Sequence, residues 1–169
     1  GLYVWDEPDN MQVEADKQTN TMIQQLEERV RSVKKSLHIE SAYFVPRPLG
    51  MAALKRLHKR GVKVQIMTNS LASNDVVPAH AGYAGYRKEL LQAGVELYEL
   101  RPDAGANKII NKKLITTTTN SGLHTKAMVF DDNAVFVGSF NLDPRSAAIN
   151  TEGGLYIESP KIAEEVLAF

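Results

Sequence analysis

The sequence predicts an α/β domain with a mostly parallel central sheet flanked by helices on both faces. Three observations carry this. Short apolar runs of strand length alternate with amphipathic stretches of helical period over the first hundred residues, and the connections are short. The runs 123–130 and 134–139 are apolar on both faces apart from a few polar positions, as central strands are. At 169 residues and 43% hydrophobic content, the chain is long enough for one domain, 1–169, with a full core.

Leu2-Tyr3-Val4-Trp5 reads as an opening strand, followed by a polar loop over 6–16. A helix is expected over 17–36, because Ile23, Leu26, Val30, Val33 and Leu37 fall on one stripe at helical spacing. The strand 37–45 is stopped by Pro46 and Pro48. A short helix over 49–59 turns Leu54 and Leu57 inward and closes at Gly61. Val62, Val64 and Ile66 alternate in the next strand; a helix over 83–92 closes at Gly94, and a strand follows over 95–100. The stretch 101–122 is too long for an ordinary connection, and 104–121 is expected to be a mobile loop at the rim of the site. Strand 123–130 then passes through Asp131-Asp132-Asn133 into 134–139 as a hairpin. A last strand over 153–157 precedes a helix begun by Ser159-Pro160.

Twenty basic and twenty acidic side chains balance to zero net charge, which counts against a nucleic-acid binder. Without cysteine there is no disulfide, thiolate catalysis or Cys-based zinc site. His38, His58, His80 and His124 show no metal-ligand spacing, so no metal or other cofactor is expected. No apolar run approaches the ~20 residues of a membrane span, and no signal peptide is expected ahead of the first strand. The abrupt first strand and the helix at Phe169 lead us to expect a segment of a longer protein.

Function is concentrated in His124-Thr125-Lys126, Asp131, and Gly138-Ser139-Phe140-Asn141. In an alternating segment, residues two apart share a face, about 7 Å from one another. His124 thus supplies an imidazole able to attack or protonate, and Lys126 a fixed cation beside it. A lysine directed into a sheet core needs an anion, because burying an unpaired ammonium costs several kcal/mol. Ser139 and Asn141 repeat the spacing and add neutral donors, a set suited to a phosphoryl centre. Glu152, before Gly153-Gly154, is placed to accept from the imidazole's second nitrogen and fix its tautomer. Asp131 lies past the strand end, and its expected role is to bond turn amides and pin the hairpin.

These residues spell H-x-K-x4-D-x6-G-S-x-N with a downstream acid, and the pattern resembles the phospholipase D superfamily. The wider text, Ser41-Ala42-Tyr43-Phe44-Val45-Pro46, Asn69-Ser70-Leu71-Ala72-Ser73-Asn74-Asp75 and Asn141-Leu142-Asp143-Pro144-Arg145-Ser146, is similar to the C-terminal half of bacterial cardiolipin synthases, nearest their C-type branch. The resemblance implies a phospholipase D-like lobe, a phosphohistidine intermediate, no metal, and a phospholipid substrate such as phosphatidylglycerol. It also implies a bacterial protein at the periphery of the inner membrane, meeting a membrane surface.

Family sites use two facing copies of the motif, and this chain has one. His38 is followed by Ile-Glu, His58 by Lys-Arg and His80 by Ala-Gly. The second copy is expected from an N-terminal lobe of the same protein or from a second copy of this chain. The first case gives a phosphatidyl transferase that needs no nucleic acid; the second gives a homodimeric phosphodiesterase of nuclease type. For substrate binding the expected residues are Asn69, Lys108 and Lys112, with His80, Tyr83 and Arg87 lining the acceptor side. For the last three, a helix start with ordinary surface aromatics is the competing reading.

Overall fold

Leu37 and Ile39 in one run and Val64 and Ile66 in another recur at every second position, and these two runs form neighbouring parallel strands. The computed structural model describes residues 1–5, 21–74, 77–102, 122–143 and 152–168. Their elements are β1 (Leu2–Trp5), α1 (Thr21–Ser32), β2 (Ser36–Ser41), α2 (Arg47–Lys59), β3 (Lys63–Asn69), a single 3-10 turn (Leu71–Ser73), α3 (Val77–Ala84), α4 (Arg87–Gln92), β4 (Glu96–Leu100), β5 (Lys126–Phe130), β6 (Ala134–Gly138), β7 (Gly153–Glu158) and α5 (Pro160–Leu167). The expected loop 104–121, with Lys108 and Lys112, lies outside the described residues.

The strands form one sheet in the order β1-β7-β6-β5-β2-β3-β4. Only β2–β3 and β3–β4 pair in parallel; β1–β7, β2–β5, β5–β6 and β6–β7 are antiparallel. The sheet is therefore mixed, which corrects the expectation of a mostly parallel one. Parallel neighbours need a crossover, usually helical, and among the described residues helices lie between β2 and β3 and between β3 and β4. The tight turn after Phe130 then makes β6 antiparallel to β5.

Helices do cover both faces. On one face Leu37, Ile39, Ile66, Met128 and Phe136 join a core completed by Met22 and Leu26 of α1, Leu54 and Leu57 of α2, Tyr83 of α3 and Leu90 of α4. On the other, Val129 and Val135 pack under Ala163 of α5, with Ile162 and Val166 beside it. Ser159 caps α5, its hydroxyl accepting from Ile162 N at 3.3 Å, with Pro160 in the first turn as expected.

Several boundaries differ from the sequence reading, three of them instructive. The helix expected over 83–92 is two helices, interrupted at Gly85–Tyr86 where Tyr86 N bonds Tyr83 O at 2.9 Å and Leu90 N restarts the ladder on Tyr86 O. The first motif strand begins at Lys126, so His124 and Thr125 lie in the segment that feeds it. The third difference is that α1 stops at Ser32 while the apolar stripe continues to Leu37. Asp131 explains this. Its Oδ1 accepts from Lys34 N at 3.0 Å, Lys35 N at 2.6 Å and Ser36 N at 3.2 Å, drawing those amides out of the helix and into the turn toward β2.

Asp131 also makes the hairpin. Asp131 and Asp132 have φ of 53° and 55°, and Asn133 N bonds Phe130 O at 3.0 Å. This is the mirror-image turn that suits the twist of two adjacent strands, and short acidic side chains tolerate it. Burial alone would raise the Asp131 pKa, but the backbone amides of Lys35, Lys34 and Ser36 outweigh it and hold the carboxyl below its usual value.

A depressed carboxylate contributes stability at neutral pH that is lost as pH falls through its native pKa. Asp131→Asn should therefore cost about 1–3 kcal/mol at pH 7, and the gap to wild type should shrink once pH drops below about 4. Urea unfolding at a series of pH values measures this. A gap equally large at pH 7 and pH 3 would refute the role given to the charge.

Candidate active site

The polar motif residues come from different strands but share one edge of the sheet. β2, β3 and β4 end there, at Ser41, Asn69 and Leu100, while β5 and β7 begin there. Ends of parallel strands are where open α/β sheets bind ligands. Lys126 stands opposite Ser41, two residues above the Met128–Ile39 pair, and Gly138 pairs with Gly154 alongside. Lys126 thus shares the face of Met128 and Phe130, the face covered by α1 and α2.

His124 is exposed and Lys126 half-buried, so the site opens to solvent and the ammonium is not buried in the sheet core as expected. Lys126 Nζ instead donates to His124 O at 2.7 Å, which folds the cation back toward the imidazole's own residue. The ordering of that ammonium comes from local geometry.

Ser139 and Glu152 form a second unit. The Ser139 hydroxyl donates to Glu152 Oε2 and accepts from Gly153 N at 3.2 Å, while Ser139 N bonds Gly153 O at 2.9 Å. Glu152 is 6% exposed. The carboxylate expected to face the imidazole thus holds the Ser139 hydroxyl, which is engaged by it. The paired glycines make the close approach possible. A Cβ on Gly154 would lie 2.3 Å from the Phe136 ring, and one on Gly138 would lie 2.6 Å from Gly153 O. Phe136, fully buried, forms the floor under this row. Asn141 lies between the buried Phe140 and Leu142, and its Oδ1 is buried without a hydrogen-bond partner. An acceptor left so is available to a donor on a bound ligand.

Asn69, expected to bind substrate, is bonded to the backbone on both sides of it. It is 2% exposed, and both its amide protons are engaged, to Ala42 O at 3.1 Å and Leu123 O at 2.9 Å, while Oδ1 accepts from Leu123 N at 2.7 Å. Beside it Gly122 passes so close to the 3-10 turn that a Cβ would lie 2.4 Å from Ser73 O. Ser41 plays a matching part that the sequence reading missed: its hydroxyl donates to Tyr43 O at 2.7 Å and accepts from Leu142 N at 3.2 Å, holding the segment after Asn141. Its signal lay in the Ser41–Pro46 stretch, which carries no chemistry by itself.

His80, Tyr83 and Arg87 do meet, together with Glu99, but as a largely buried network. Tyr83 is 2% exposed and donates to Glu99 Oε1 at 2.9 Å. Arg87 Nε lies 2.7 Å from the same oxygen, in an ion pair whose N–H is not aimed along it, and its guanidinium lies over the Tyr83 ring at 5.1 Å. Burial, then the Glu99 carboxylate, push the Tyr83 phenol far above its usual pKa. His80 is 6% exposed with its Nε2 3.3 Å from Arg87 and its Nδ1 unpartnered. These groups brace α3 and α4 against β4, and they are not surface aromatics. Asp131 sits at the opposite end of β5, away from His124. His38 is at that far end too, 3.4 Å from Asp132, and His58 packs under Gly94. Among the described residues no group of three or more His, Cys, Asp or Glu could hold a metal ion.

The chain belongs to the phospholipase D superfamily. The family described as "Cardiolipin synthase, PLD-like domain" matches residues 26–169. Cardiolipin synthase C of Escherichia coli K12 is 45% identical over 148 residues, covering 88% of this chain and 31% of that protein. The chain thus spans about a third of the length of that relative. Among solved structures, Nuc of Salmonella typhimurium, a phospholipase D family member, superposes with a TM-score of 0.67 at 20% identity, covering 99% of this chain and 88% of that one. Phosphatidylserine synthase of Haemophilus influenzae Rd KW20 gives 0.65 at 20% identity, covering 98% and 36%. These two likenesses establish the fold.

If Asn69 positions rather than binds, Asn69→Ala should destabilise by about 1–3 kcal/mol through the backbone groups it strands. In the complete protein it should lower kcat with KM little changed. A raised KM with unchanged kcat would return Asn69 to the substrate.

Proposed function

We propose that this domain is one catalytic half of a phosphatidyl transferase of cardiolipin synthase type, acting through a phosphohistidine. The observation that carries the reading is the gathering of His124, Lys126, Asn141 and the Ser139–Glu152 pair at one sheet edge. The 45% identity to a cardiolipin synthase supports it.

In this reading an imidazole nitrogen of His124 attacks the phosphodiester phosphorus, forming a P–N bond as the P–O bond to the leaving alkoxide breaks. Lys126 and the Asn141 amide stabilise charge on the non-bridging oxygens. An acid must protonate the alkoxide from the opposite side. None of the other three histidines can do so, since His38 and His58 lie elsewhere in the fold and His80 is buried. A second H-x-K lobe supplies that acid, from the same protein or from another copy of the chain. An acceptor alcohol, giving its proton to the same group that protonated the alkoxide, then attacks phosphorus, forming the new P–O bond as the P–N bond breaks and the imidazole is released. Splitting the displacement in two lowers each barrier. Glu152, bonded to Ser139, steadies the site during charging of the imidazole. Segment 104–121 joins two described ends, Pro102 and Gly122, that both lie at this edge, and Lys108 and Lys112 in it would meet anionic head groups. The protein would work at the surface of the bacterial inner membrane.

The homodimeric phosphodiesterase is the second reading, favoured by the coverage of 88% of Nuc by this chain. Both readings require His124. In the complete protein His124→Ala should abolish turnover of phosphatidylglycerol, and Lys126→Ala should lower it about 10²–10³-fold. The chain alone, as a monomer, should show little or no transfer. Ordinary turnover by that monomer, or by His124→Ala, would overturn the two-lobe mechanism; activity confined to a dimer of the chain would select the second reading.

A further inference from the structure

Beside the site, α1 and α2 stand apart over the sheet and leave an apolar groove with a volume of about 490 Å³, within the range of small-molecule sites. Ile23 and Val30 share the apolar stripe of α1, yet both are only half-buried, because they face this space. The opposite wall is made low by Gly50 and Ala53 of α2.

The floor connects the groove to the catalytic edge. Ile39 and Met128 are register partners on the floor, and the next pair on the same face of the same strands is Ser41 and Lys126, about 7 Å further on. At the mouth, Phe140 and Leu142 line the groove on either side of Asn141 with its unpartnered buried oxygen. Arg47 also stands at the mouth, a non-glycine residue at φ 53° between two prolines, a conformation that the surroundings must impose. Next to it Leu49 is 80% exposed, an apolar lip. The charged lining residues Glu27, Arg31, Arg56 and Asp143 belong to the helices and the mouth, while the strand residues of the floor are apolar.

We propose that this groove holds one acyl chain of a glycerophospholipid whose phosphate lies at His124 and Lys126, with Arg47 beside the head group. This rests on the phosphatidyl-transfer reading above. A glycerol backbone spans the short step from phosphate to acyl chain, so one lipid can occupy both places. Apolar walls select the chain by its methylenes, each worth up to about fourfold in affinity when fully buried.

The test has two independent readouts on the complete protein. Phosphatidylglycerol carrying a diazirine midway along an acyl chain, presented in vesicles, should on irradiation form adducts on α1, α2 and the Met128 peptide. Adducts found only elsewhere, or none because the protein's own chain fills the groove, would overturn the proposal whether or not the protein turns over lipid. Separately, with monomeric phosphatidylglycerols bearing acyl chains of about four to eight carbons, kcat/KM should rise by up to about fourfold per methylene. Ala53→Phe should flatten that rise and leave a small chain-free phosphodiester unaffected. Equal losses on both substrates would mean that Ala53 serves the fold and would count against the groove. If Ala53→Phe does not fold, the adducts on unaltered protein decide. Absence of all phospholipid turnover by the unaltered protein would instead fail the transfer reading, and the adducts would still report on the groove.

Discussion

The site depends on one side chain that does no chemistry. Asn69, at the end of β3, bonds Ala42 O, Leu123 O and Leu123 N at once. Those three bonds tie the exit from β2 to the entry into β5, two strands that meet in antiparallel register with Ser41 opposite Lys126. Leu123 immediately precedes His124, so fixing its backbone fixes where the imidazole begins. Gly122 must be glycine for the same reason, since Ser73 O occupies the space a Cβ would need. Loss of this clamp would leave the motif residues present and the site unbuilt.

The other end of β5 is held by the same kind of contact. The Asp131 carboxylate takes the amides of Lys34, Lys35 and Ser36, so a single strand is gripped at both ends by side chains bonded to backbone. The acid of the H-x-K-x4-D pattern is therefore distant from the chemistry and still tied to it, because it sets the register in which His124 and Lys126 arrive. Ser139 is similar on the neighbouring strand, joining Glu152 to the start of β7. The two residues that meet the anion in the proposed mechanism, His124 and Lys126, are among the less enclosed members of the set. With the whole chain at zero net charge, attraction for the anion is local.

Much of this was legible in the sequence, because the motif residues carry both their chemistry and their spacing. The hairpin at Asp131-Asp132-Asn133, the cap at Ser159-Pro160 and the closing glycines Gly61 and Gly94 follow from local preferences, and each is found. The strand directions were not legible, since apolar runs on both faces fit central strands of either sense. Nor was the end of α1, whose stripe runs on to Leu37; the interaction that stops it comes from Asp131, ninety-seven positions from Lys34. The long-range backbone partners of Asn69, Ala42 and Leu123, are invisible in the sequence. The same holds for Tyr83 and Arg87, which meet Glu99 through tertiary packing, and for His80 beside Arg87.

The central claim is that phosphorus passes through a covalent bond to His124. The most direct measurement is the stereochemical course of transfer, using phosphatidylglycerol made chiral at phosphorus with the complete protein. Two successive in-line displacements each invert the centre, so the account predicts net retention of configuration. Net inversion would mean that the acceptor attacks phosphorus directly, and His124 would then be a base and not a nucleophile.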